Sequence, residues 1–412
     1  MSTHQSLALG QKRFQAWQGF ALFIGVLGEL FLAGDWYGFA AVMPFVSRSL
    51  TLSPLQSGFI QGVFGITFAV GMVVWSPLSQ RVSARALFAV GLIGAGIGMM
   101  AQASASSYVN LIVFRLVIGF FEAAVWIGTM KLIVSWFPTN RHGFTMGVLL
   151  ASFSLAITLD FAIGIPLAAA YGWRTFFTML GIATCAIGAI GGLTIRNTPR
   201  GMELFGSGFA KEKESSPGLN APSAWTVFRS KWIYVASLAI FGDMFAISSI
   251  TTWAVPAFIE TQQMPVASAA TIGSIMGFAQ VFVLLVAGWL SDRVPRTLML
   301  KVGKVCCFLV ALSFIATSLF HAEWAALLAV AALSGFVVTS GGAIFSLLSE
   351  KYGEELAAAA IGFAEVGGIL STFVAPALLG AVITATHSFA AAFGVLAVVE
   401  IVILAVLLVI AN

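Results

Sequence analysis

Apolar side chains along this chain of 412 residues come in long unbroken tracts, with neither the three-and-four spacing of a half-buried helix nor the alternation of a strand. Twelve such tracts predict helical spans at 17–47, 54–79, 86–106, 109–136, 143–171, 174–195, 232–259, 267–290, 297–320, 323–349, 356–384 and 388–411. Each is long enough to cross a hydrocarbon core of about 30 Å, and a helix satisfies its backbone polar groups within itself. The polar breaks between tracts are short except for one, Arg196 to Lys231. It contains Lys211-Glu212-Lys213-Glu214-Ser215-Ser216-Pro217-Gly218, a linker composition. The pattern therefore predicts an all-α membrane protein with an N-terminal six-helix bundle at 1–195, a cytoplasmic linker at 196–231 and a C-terminal six-helix bundle at 232–412.

Composition removes the soluble alternative. Only 9% of residues are charged and 59% are hydrophobic, against about 25% and 45–50% in water-soluble domains. The net charge of +4 is spread singly between apolar tracts, so no nucleic-acid partner is expected. Lys12 and Arg13 before an apolar run have the look of a signal peptide, but the run is long and leads into further spans, which predicts an uncleaved first helix. Cys185, Cys306 and Cys307 lie inside apolar tracts without metal-ligand spacing, so no metal or other cofactor is expected.

The basic residues report orientation. Sixteen of the 20 lysines and arginines fall in the N-terminal tail, the linker and the loops on the same side, with Lys301 and Lys304 counted among them. Only Arg48 and Arg174 fall in the opposite loops, and Arg115 and Lys131 lie inside the fourth span. The positive-inside rule then places both termini in the cytoplasm, with a bacterial cytoplasmic membrane as the expected location. The halves also repeat: Leu78-Ser79-x-Arg81-Val82 returns as Leu290-Ser291-x-Arg293-Val294, and Pro44 returns as Pro256, both at an offset of 212. Paired repeats of this kind put a binding site between them near midplane.

Candidate chemistry follows from cost. An ionisable group at the centre of a span costs about 2.5–3.5 kcal/mol unless it meets a partner or a wet cavity. Nine are kept as candidates: Glu29, Asp35, Arg115, Glu122, Lys131, Asp160, Asp243, Glu365 and Glu400. At about 1.5 Å per residue, Asp35, Glu122 and Asp160 share a depth near midplane. Arg115 lies two turns from Glu122 on the same helical face, leaning away from it and free for a ligand or another helix. Neighbouring carboxylates in a desolvated place take up protons readily, which makes Asp35 and Glu122 the proton-coupling candidates. The planar fork of Arg115 suits a carboxylate or phosphate. Tyr37 and Trp126 are candidate walls of a substrate pocket; Glu29, Asp160, Asp243 and Glu365 are candidates for the pathway or its gate, and Glu400, on a peripheral last helix, for structure. Gly34-x-x-x-Gly38 and Gly58-x-x-x-Gly62 predict close helix packing. No phosphate-binding loop, dinucleotide fingerprint or hydrolase motif occurs, so no enzyme is expected.

Gly288-Trp-Leu-Ser-Asp292-Arg293-Val-Pro-Arg296 resembles the loop motif of the major facilitator superfamily, with a degenerate copy at Ser76-Pro-Leu-Ser-Gln80-Arg81. Arg115-Leu-Val-Ile-Gly119-Phe-Phe-Glu122, followed by Ser135-Trp136-Phe137-Pro138-x-x-Arg141-x-Gly143 and Gly172-Trp173-Arg174-x-x-Phe177, resembles the anion:cation symporter family within it. The resemblance implies the major facilitator fold, with two pseudo-symmetric bundles, and assigns proton binding to Asp35 and Glu122 and substrate contact to Arg115. It also implies gating by Asp292 and Arg293. Where that family carries an arginine after the first-helix aspartate, this chain has Trp36.

The expectation is a secondary transporter of a small organic anion, a monomer in the lipid bilayer, working by alternating access in symport with protons or with sodium in their place. The alternatives are a proton-coupled exporter of a cationic or amphipathic compound, a carrier of a metal or its chelate, and a transport-dead sensor on the same fold. The sensor reading expects an appended soluble domain, and the sequence ends directly after its last span.

Overall fold

The computed structural model describes residues 3–79, 81–137, 142–197, 224–291 and 293–411. Among them the chain is helical, with twelve helices of membrane-crossing length and hydropathy. These are α1 Gln11–Leu50, α2 Pro54–Leu78, α3 Ala84–Ala103, α4 Tyr108–Trp136, α5 Gly147–Tyr171, α6 Trp173–Thr194, α7 Lys231–Thr261, α8 Val266–Ser291, α9 Arg296–Leu319, α10 Trp324–Tyr352, α11 Ala360–Thr386 and α12 Phe389–Ile410. Every predicted span is present, with ends displaced by a few residues. Most of the linker lies outside the described residues, as do Asp292, Gln80, Pro138 and Arg141.

Local chemistry sets the helix ends. Pro54 occupies the first turn of α2 behind Ser53, whose hydroxyl accepts from the Gln56 amide while Gln56 Oε1 accepts from the Ser53 amide at 3.0 Å. This reciprocal cap satisfies two otherwise orphaned donors. Between α5 and α6 the turn is made at Gly172, whose φ of +86° would strain any residue with a side chain. Pro44 and Pro256 stand inside α1 and α7, so the repeated proline marks matching places in two helices.

Two helices are locally irregular. In α5 the five residues Asp160–Gly164 form a π-turn directly before Ile165 and Pro166. Pro166 has no N–H to give to the preceding turn and its ring crowds the carbonyl there, and a widened turn relieves both. In α10 the stretch Ser334–Val338 tightens to a 3-10 helix before the α-helix resumes at Gly341.

The first six and last six helices meet along three seams: α1 with α7, α2 with α11, and α5 with α8. The closest approaches lie toward the membrane face opposite the termini. A Cβ on Gly58 would stand 2.1 Å from the Pro376 carbonyl oxygen, and one on Gly62 2.5 Å from that of Phe373. On α8, a Cβ on Gly277 would stand 2.6 Å from the Thr158 amide nitrogen. Small residues thus let backbones touch where lipid gives no hydrophobic drive for helix association. Among the described residues α4 makes no comparable contact with α10 or α11.

Candidate functional site

One face of α4 carries Arg115, Glu122 and Thr129, each seven residues after the last and each fully buried. Seven residues make nearly two whole turns, so the three stack as a column. The column lies against α1. Glu122 lies beside Asp35 and Thr129 beside Glu29, yet among the described residues the carboxyl oxygens of Glu122 and Glu29 and the Thr129 hydroxyl have no hydrogen-bond partner. Thr184 of α6 donates to Asp35 Oδ1 at 3.1 Å. Asp160, at the π-turn of α5, approaches α1 from the other side, with Oδ1 3.6 Å from where a Cβ on Gly34 would stand. The structure therefore gathers Glu29, Asp35, Glu122 and Asp160 from three helices around α1, each at most 6% exposed.

Arg115 meets other helices rather than Glu122. Nη1 donates to the Asp35 carbonyl at 2.8 Å, and Nη2 to the Trp36 carbonyl at 2.9 Å. Longer contacts at 3.4 Å reach the carbonyls of Ile60 and Gln61 and the side chain of Gln61. Its guanidinium also lies over the rings of Phe39 and Phe64. In this conformation Arg115 joins α4 to α1 and α2, and of the buried carboxyls its charge lies near that of Asp35.

An aromatic group flanks this column on the side of the second bundle. Trp36 packs on Tyr37, Phe64, Phe68 and Phe153, with ring centroids 4.5–6.1 Å apart. Tyr37 is buried near Ser248 of α7, and among the described residues neither hydroxyl has a hydrogen-bond partner. Trp126 is half-buried against the core. Trp253 is buried and donates to the Pro376 carbonyl at 3.1 Å, fastening α7 to α11.

The second bundle holds a different constellation. Lys304 Nζ lies 2.6 Å from Asp243 Oδ1 and 3.3 Å from Glu400 Oε2, and donates to the Ala239 carbonyl at 3.1 Å. The Ser340 hydroxyl is shared between both oxygens of Asp243 at 2.8 and 2.7 Å. Lys304 and Glu400 are fully buried and Asp243 is 3% exposed. One expectation is corrected here. Lys304 is not a loop cation reporting orientation, because it lies two turns into α9 and is fully buried. Glu400, expected to serve structure, does so from the inward face of α12, where it meets Lys304. A lysine near a span end looks in sequence like one whose long stem carries its charge to the interface, so the pairing became visible only once three helices were placed together. Thr184 and Ser340 left no signal, being ordinary hydroxyls in apolar tracts.

The remaining candidates lie apart. Glu365 is half-buried on α11. Arg293 is exposed, lies over the ring of Trp289 and donates to the Trp289 carbonyl at 2.9 Å; its motif partner Asp292 is outside the described residues. Lys131 donates to the carbonyls of Ser79 and Val82, tying α4 to the turn between α2 and α3. Among the described residues no group of histidine, cysteine, aspartate and glutamate has metal-binding geometry.

The sequence model of the major facilitator superfamily matches residues 25–376, from the first helix to the eleventh. The chain belongs to the major facilitator superfamily. Among its relatives, the hexuronate transporter of Bacillus subtilis (strain 168) is 24% identical over 88% of this chain and 89% of that one. A "Probable hexose phosphate transport protein" of Chlamydia trachomatis serovar D is 24% identical over 70% of this chain and 67% of its own. A bacterial homologue of the human lysosomal transporter Spinster, solved in an inward-facing and occupied conformation, superposes with a TM-score of 0.77 at 14% identity, over 96% of this chain and 97% of that one. The fold is thus that of a multi-pass membrane transporter, and the superfamily does its work by moving solutes rather than transforming them.

Proposed function

We propose that the protein carries a small organic anion across the membrane in symport with protons. The observation that carries this reading is the burial of Asp35 and Glu122 side by side in the first bundle, with Arg115 two turns along α4 from Glu122 and bonded to the backbone at Asp35. With both carboxyls ionised, the positive charge of Arg115 is outweighed by its neighbours and the chamber repels an anion. With both protonated, the same guanidinium stands uncompensated in a medium of low dielectric, where its field reaches far. Protons and anion therefore favour each other's binding, and the loaded or empty carrier has less charge to bury when the chamber closes. Tyr37 and Trp126 belong to the pocket wall in this scheme, with Glu29 and Asp160 as further acids along the proton's route. The relatives named as hexuronate and hexose phosphate transporters support the substrate class.

The test is uptake into proteoliposomes. An imposed gradient, acid outside, drives accumulation of glucuronate, and Glu122→Gln lowers that accumulation at least tenfold while exchange of labelled for unlabelled substrate persists. Accumulation in the wild type that ignores the gradient overturns proton coupling, and export driven by the gradient favours the exporter reading.

A further inference from the structure

Along α11, Glu365, Ile369, Thr372 and Pro376 follow one another at four, three and four residues, which puts them on one face. The last three seal against α2. A Cβ on Gly65 would lie 2.9 Å from Thr372 Oγ1 and 3.4 Å from the Ile369 carbonyl oxygen, and Gly58 meets Pro376 two turns further on. Thr372 is 4% exposed within that seam. Glu365 is the next member of the face toward the termini, about 6 Å along the axis from Ile369, and there the side chain is only half-buried. The seam between the bundles thus ends at this carboxyl.

What α2 offers beyond that point is apolar. From Ile66 to Leu78 it has no ionisable residue, and the turns that would meet Glu365 carry Phe68, Ala69 and Met72. Other neighbours give no counter-charge. On α7 the residues facing α11 at Gly367 and Gly368 are Ser237, Ile240 and Met244, and Asp243 is turned to Lys304. On α10, Glu350 pairs with Arg296 and Lys351. The 3-10 turn Ala224–Arg229 sets Trp225 and Phe228 against Phe363, and Lys131 of α4 is held by Ser79 and Val82. Among the described residues the Glu365 carboxyl makes no hydrogen bond or ion pair.

We propose that Glu365 is a proton-binding gate residue of the second bundle: α2 and α11 close together on the face that carries the termini only when its carboxyl is neutral. Continuing the seam by one turn presses Glu365 onto the Phe68–Met72 surface of α2. An unpaired carboxylate in such a place is strongly disfavoured, and the group takes up a proton instead. Asp243 and Glu400 differ because Lys304 compensates them inside their own bundle whichever way the halves tilt. The gate extends the proton-coupled reading to a second, separate site and relies on it only for the identity of the ion.

The experiment reads closure directly. Spin labels go on Ser76→Cys of α2 and Gly362→Cys of α11, the latter at a position where a Cβ would meet nothing within 4 Å. The three native cysteines are replaced by alanine, and Asp35→Asn with Glu122→Gln removes the central proton sites. In nanodiscs without substrate, acidification from about pH 8 to about pH 5 is expected to raise the short-distance population about threefold or more. Glu365→Gln is expected to raise it about as much already at pH 8, and Glu365→Asp to keep the response to acid. If Glu365→Gln gives the same distances as its parent at both pH values, the proposal is overturned; an unchanged melting temperature for that variant keeps this outcome decisive. Wild-type uptake indifferent to a proton gradient sinks the symport reading alone, since the distance measurement does not involve transport.

Discussion

At the scale of single residues, the interior is organised by what its cations are doing. Lys304 neutralises Asp243 and Glu400 together, so Lys304→Ala leaves two buried acids without compensation. Breaking a buried pair on one side costs about 3–5 kcal/mol, and the expected readout is a large fall in melting temperature in detergent. The triple change Lys304→Met, Asp243→Asn and Glu400→Gln is expected to recover most of that loss, since no charge then remains to be matched. Arg115 makes a different demand: its fork serves carbonyls of two helices at once. A lysine carries the same charge on a compact tip that cannot span them. Arg115→Lys is therefore expected to lower both transport, by tenfold or more, and melting temperature, and a variant with normal transport and stability contradicts the strut described here. Asp35 and Glu122 were legible in the sequence because a midspan carboxyl is costly enough to need a reason. The partners of Arg115 were not, because backbone carbonyls are present at every residue and carry no signature.

Helices, the next scale, were the most readable feature, since the length needed to cross lipid and the rarity of charge leave little freedom. Their irregularities were less so. The π-turn in α5 has a cause in Pro166, but the proline alone does not say whether the helix will kink, tighten or widen. The glycine pair Gly58 and Gly62 was recognisable as a packing signature, whereas its partner, the α11 backbone at Phe373 and Pro376, depends on how the bundles meet. Gly58→Leu is expected to hold that seam apart, because the nearest atom to the new Cβ is a backbone oxygen that cannot rotate away. Thiol labelling of Leu55→Cys, at the outer end of the seam, should then rise several-fold while Gly147→Ala, in open space, changes nothing.

For the whole molecule, the arrangement is one of three inter-bundle seams that are tight toward one membrane face. Which face that is follows from the loop charges, and the expected orientation has both termini in the cytoplasm. Moving Lys304 into the interior leaves 15 of the 20 basic residues on the terminus side by the same count, so the bias survives the correction. A fluorescent protein fused after Asn412 should fluoresce, and alkaline phosphatase fused there should be inactive; the reverse pair of results inverts the topology. With that orientation the tight seams belong to the outer face.

The saturation of the interior cations has an electrical consequence. Arg115, Lys131 and Lys304 are each matched by oxygens belonging to the protein itself. Chloride, the commonest small anion in solution, meets no cation among these three that lacks a protein oxygen beside it. Under the proposed symport, a carrier of this design at rest is expected not to leak chloride, and to admit negative charge only together with protons.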